Sequence, residues 1–178
     1  MNNPRLTPEQ FQAIYPRIKE WIGRVLVGYE SQAKAVVTTG FPRLPLYFRK
    51  DFLASAKFVV VDRVPVPPLA SMGLEQFSEF EKDDYGGITY LDTFFVKEGH
   101  VADEGLYFHE LIHVIQWRIL GPELFLATYA DGLARFGYRN SPLEVMAYNA
   151  EATFRQSVQP FNAEALVAEQ IKRMSAIP

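Results

Sequence analysis

The chain has 178 residues, 48% of them hydrophobic and 22% charged, which suits one compact domain spanning 1–178 with a sizeable core. A net charge of −3 and short, interrupted basic stretches such as Arg43, Arg49 and Lys50 leave no footprint for a nucleic-acid backbone. With no cysteine, disulfides, thiolate metal sites and a cysteine nucleophile are all excluded, so any metal must be held by His, Asp, Glu or backbone oxygen. No secretory signal pattern opens the chain, and no uncharged apolar run reaches the roughly 18 residues of a membrane span. A cytoplasmic protein that acts away from membranes is therefore expected.

The first predicted element is a helix. Thr7 stands as N-cap, Pro8 at the first helical position and Gln10 at the capping-box position. Phe11, Ile14, Ile18, Trp21, Ile22 and Val25 then recur at helical spacing, with a kink expected at Pro16. After a loop at Gly40 and Pro42, a short helix is expected near Leu46 to Ala54, followed by a buried strand from Lys57 to Val64. Pro65 to Ser71 break that strand. Acidic Glu81 to Asp84 and the pair Gly86 and Gly87 form a second loop, after which Ile88 to Val96 reads as the second strand.

From Asp103 the pattern turns helical and runs to Leu120, where Gly121 and Pro122 end one helix and begin another striped by Phe125, Tyr129 and Leu133. Ser141, Pro142 and Glu144 repeat the capping signature of the N-terminus and open a third helix through Met146, Tyr148 and Glu151. An N-terminal helix, a small sheet and a run of C-terminal helices make the fold class α+β.

The chemistry sits in His109, Glu110, Leu111, Ile112 and His113. On a helix, histidines four residues apart project from one face toward one point, the geometry of two imidazoles on one zinc ion. Glu110 lies one residue round the turn, where it can act as general base on a zinc-bound water without being a ligand. The blander alternative is two ordinary helix histidines, but two imidazoles and a carboxylate among Leu111, Ile112, Val114 and Ile115 would then need other buried partners.

A third ligand is required, and no histidine follows His113. Gln116 and Ile119 occupy the positions at which a metzincin has Gly and His, so the ligand must be a carboxylate. Glu144 and Glu151, two turns apart on one face of the third helix, are the two choices. Glu144 is preferred although its capping position competes for it, and Glu151 is held in reserve. His100, Tyr129, Tyr138 and Tyr148 are candidate donors to a developing oxyanion.

The segment HELIHVIQW resembles the HExxHxxQ motif of bacterial domains of the zincin-like metallopeptidase class. Glu144, Ala147 and Tyr148 are similar to the ExxAD signature that carries the third ligand in gluzincins. The resemblance covers residues 88–155. It implies a zinc held by His109, His113 and Glu144, Glu110 as catalytic base, a peptide or protein substrate, and edge pairing of an extended peptide with the strand Ile88 to Val96. Tyr148 departs from the signature: the Asp that usually stands there orients a ligating histidine, so Asp103, Asp131, Glu151 or a backbone carbonyl must take that duty. The expected activity is zinc-dependent peptide hydrolysis. Its rivals are a zinc-stabilised binding module, which a buried Glu110 would favour, and a metal-free structural domain.

Overall fold

The computed structural model describes residues 6–175, among which six helices surround a four-stranded sheet in a mixed α+β arrangement. The first helix, α1 (Pro8–Tyr29), begins on the capping box expected of Thr7 and Gln10 and buries Phe11, Ile14, Ile18 and Ile22. It runs through Pro16 unbroken. Strand β1 (Lys34–Ala35) and helix α2 (Lys50–Ser55) lead into β2 (Lys57–Val61), which ends three residues before the expected Val64. A long connection carrying the one-turn helix α3 (Ser78–Lys82) reaches the remaining strands.

The single strand expected over Ile88 to Val96 is a hairpin. β3 (Gly87–Tyr90) turns at Leu91, whose φ of 56° is left-handed, and returns as β4 (Thr93–Lys97). The alternation of Thr, Tyr, Phe and Val continues through the turn, so nothing in strand propensity marks the reversal. The sheet order is β1-β2-β4-β3, with β2 and β4 parallel, β4 and β3 antiparallel, and β3 at the edge.

Because side chains alternate along a strand, the central pair feeds two cores. Phe58, Phe94 and Val96 face one core, closed by Tyr107, Phe108, Leu111 and Ile112 and by the C-terminal helices α5 (Pro142–Gln156) and α6 (Ala163–Ser175). Val59, Val61 and Phe95 face the other, closed by α1, the connection after β2 and Trp117 and Phe125. The helix α4 (Glu104–Phe136) runs between the two cores and breaks at Gly121, which has a φ of 73° just before Pro122, as its Gly-Pro pair predicts. Every residue from 107 to 117 is buried, so the HExxH segment is held from all sides. No helix among the described residues is long and apolar enough to cross a membrane.

Candidate metal centre

α4 carries His109 and His113 one turn apart, and their Nε2 atoms stand 3.1 Å from each other. α5 packs across this face and brings Glu144 to both: Oε2 lies 3.4 Å from His109 Nε2, and Oε1 lies 3.4 Å from His113 Nε2. The three side chains are buried and present donor atoms close enough to hold one metal ion. Neighbouring ligands on a tetrahedral ion at zinc-like bond lengths lie about 3.4 Å apart, so these separations suit such an ion with little movement. The donor chemistry agrees with the geometry. Glu144 Oε2 is buried without a hydrogen-bond partner, an orphaned acceptor that a cation would satisfy.

Each imidazole is oriented from behind. Glu151 Oε2 lies 3.0 Å from His109 Nδ1, and Gln116 Oε1 lies 2.7 Å from His113 Nδ1. Gln116 Nε2 donates to the Leu143 carbonyl at 3.0 Å, which turns its oxygen toward the ring. With both Nδ1 atoms donating, both Nε2 lone pairs face the triad, the tautomer a metal ligand needs. Glu151 thus lies behind His109 rather than among the three clustered donors, in the orienting position that Tyr148 does not fill. Asp103 acts at two removes, because Arg155 donates to Asp103 Oδ1 at 2.8 Å and to Glu151 Oε1 at 2.7 Å. Asp131 plays no part, being paired with Arg135 on an exposed surface.

Two lone pairs 3.1 Å apart repel unless something positive lies between them, and in the metal-free protein that is a proton. Burial alone would lower the pKa of His109, but the neighbouring Glu144 and Glu151 carboxylates outweigh that and lift it to about 10. Burial also works to raise Glu144, yet the neighbouring His113 and His109 imidazoles hold it far below the usual carboxylate range. Tyr129 donates to Glu144 Oε1 at 2.6 Å and thereby steadies that carboxylate.

Glu110 is buried, and Thr89 Oγ1 on β3 donates to its Oε2 at 2.6 Å. Burial raises its pKa despite the lowering effect of both imidazoles, which makes the carboxylate a better proton acceptor. A Cβ at Gly87 would stand 2.5 Å from Glu110 Oε1, so only glycine lets the edge strand approach here. Gly87 and Glu110 both line an open polar cleft of about 570 Å³ that also includes His100, Arg139 and Tyr148. Tyr148 tilts its ring at 58° to that of His109 with the centroids 4.6 Å apart, and Tyr138 lines the same cleft, so these two phenols flank the triad while His100 stands exposed on the rim.

The sequence placed His109, Glu110, His113 and Glu144 together, and the fold does bring them together. It did not single out Thr89, Gly87 or Arg155. Gln116 was readable, since a residue three positions after His113 lies on the same helical face. No protein-family model matches the chain, and no curated protein or solved structure is significantly similar to it.

Proposed function

We propose that the protein is a zinc-dependent hydrolase of the zincin-like type, acting on peptide bonds, with zinc held by His109, His113 and Glu144 and with Glu110 as general base. The observation that carries this reading is the buried His-His-Glu cluster, with one carboxylate oxygen left without a partner, beside a fourth group of raised pKa that also reaches the cleft. Two imidazoles and one carboxylate suit zinc, whereas calcium and magnesium favour all-oxygen shells. When bound, zinc supplies a Lewis acid that polarises a carbonyl and lowers the pKa of water to about 7.

The chain's own groups do the rest. Thr89 fixes Oε2 of Glu110, and Oε1, against Gly87 at the cleft wall, is the atom that takes a proton from the attacking water and returns it to the leaving amine. Tyr138 and Tyr148 supply hydroxyl donors toward charge developing on the carbonyl oxygen. Glu110→Gln keeps the shape but cannot accept the proton, so zinc content should be retained while cleavage of a peptide library falls about 100- to 10,000-fold. Equal cleavage rates with equal zinc would remove Glu110 from the mechanism.

One observation favours a second reading, a zinc-stabilised binding module without catalysis: Glu110 is only 3% exposed and held by Thr89. On that reading wild type carries one zinc per chain and cleaves nothing in the library, and chelation lowers Tm equally in wild type and Glu110→Gln.

A further inference from the structure

The triad stands between two spaces of opposite character. On one side is the polar cleft. On the other lies a chamber of about 80 Å³ inside the second core, walled by Phe11 and Ile14 of α1, Leu69 and Phe77 of the connection after β2, and Phe125 and Leu133 of α4. Glu110, His113 and Glu144 form part of its wall, so the chamber meets the site directly.

Three things can occupy a void in a core. A packing defect is disfavoured, since cores hold few voids larger than a water molecule. Ordered water needs two to four polar partners, and the wall leaves one unpartnered acceptor, Glu144 Oε2, while Tyr90 donates to the Pro65 carbonyl at 2.7 Å, Tyr85 to the Phe80 carbonyl at 3.0 Å, and Tyr129 to Glu144 Oε1. What remains is an apolar group delivered by a ligand. A cavity of about 150 Å³ suits benzene, and this one has about half that volume, so it fits a branched aliphatic group better than an aromatic ring.

We propose that this chamber is the specificity pocket of the site and receives a branched aliphatic side chain, of valine or leucine size, adjacent to the bond that is cleaved. The pocket is built by α1 and the connection after β2, elements outside the HExxH segment, so selectivity and chemistry are supplied by different parts of the chain. The assignment of the aliphatic group to a substrate rests on the hydrolase reading; the existence of the ligand site does not.

The test uses zinc-loaded full chain and two hydroxamates, acetohydroxamate and isovalerohydroxamate, measured by calorimetry. Three additional buried carbons should make the isovaleryl compound tighter by roughly 10- to 50-fold. Ala130→Leu, which places a larger side chain in the chamber wall, should abolish that gain, and Leu133→Ala should shift the preference to the longer hexanoyl compound. Equal affinity for the two hydroxamates in wild type overturns the proposal. Isovaleramide, which lacks the chelating group, separates the two readings by its effect on the Ile14 and Leu69 methyl resonances. If neither hydroxamate binds but isovaleramide shifts those methyls in wild type and not in Ala130→Leu, the zinc reading fails and the apolar ligand site stands. If isovaleramide shifts nothing either, the site falls as well.

Discussion

Two helices of this protein begin with the same local signature and end up doing different work. Thr7-Pro8-Glu9-Gln10 closes the capping box at the start of α1: Gln10 N donates to Thr7 Oγ1 at 3.2 Å, and Thr7 N donates to Gln10 Oε1 at 2.9 Å. Ser141-Pro142-Leu143-Glu144 at the start of α5 closes none. Ser141 makes no side-chain cap, its Oγ is buried without a partner, and Glu144 points into the cluster with His109 and His113. The first box is exposed, so nothing competes with the backbone for Gln10. The second is buried against α4, where two imidazoles and the Tyr129 hydroxyl offer the carboxylate stronger, charge-assisted partners. The lesson is that a cap is a default, which a buried site of opposite charge overrides at a local cost in stability.

The sharpest way to break this comparison is Glu144→Ala. If the residue serves the metal centre, zinc affinity measured by chelator competition should fall by more than 100-fold, while a mere cap would cost only about 1 kcal/mol in stability and leave affinity alone. Glu151→Ala should come next, weakening zinc about 10- to 100-fold, because it removes the group that orients His109 rather than a ligand. A larger loss for Glu151→Ala than for Glu144→Ala would reverse the two roles.

pH gives a smaller and graded effect. The folded pKa of His109, about 10, lies above its ordinary 6.5, so its proton stabilises the metal-free fold fully below about pH 6.5. That contribution is lost as pH rises toward 10. Zinc must displace the same proton, so its affinity should rise by up to about tenfold per pH unit between 6.5 and 9.5, and the gain in Tm on adding zinc should grow with it. Affinity independent of pH would show that the proton is not where the geometry puts it.

The smallest effects compare the caps themselves by thermal denaturation in chelator. Thr7→Ala should cost about 0.5–2 kcal/mol, as the loss of a working N-cap does. Ser141→Ala should fall within about 0.5 kcal/mol of wild type or stabilise it, because it removes a buried hydroxyl that bonds to nothing. Equal costs would mean that the second cap forms in solution.

Local pattern was enough for much of this protein. The start of α1, the strand from Lys57, the break at Gly121 and the single helical face shared by His109 and His113 are written in neighbouring residues, because caps, periodicity and glycine conformations act over one or two turns. The α+β class followed from the order of those elements, and the two carboxylates able to complete the centre were both visible on one helix. Local pattern also misled. It ran β3 and β4 together as one strand, because strand propensity continues through the turn at Leu91, and it gave Glu144 a cap it does not make. Only the packing of α5 across α4 decided that Glu144 meets both imidazoles while Glu151, two turns further on, stops behind His109. The Thr89 contact to Glu110, the close approach at Gly87 and the chamber beneath α1 likewise join residues from about 20 to more than 130 positions apart. Such contacts leave no periodicity in the chain, since they depend on how finished elements settle against one another and on which buried charges then find partners.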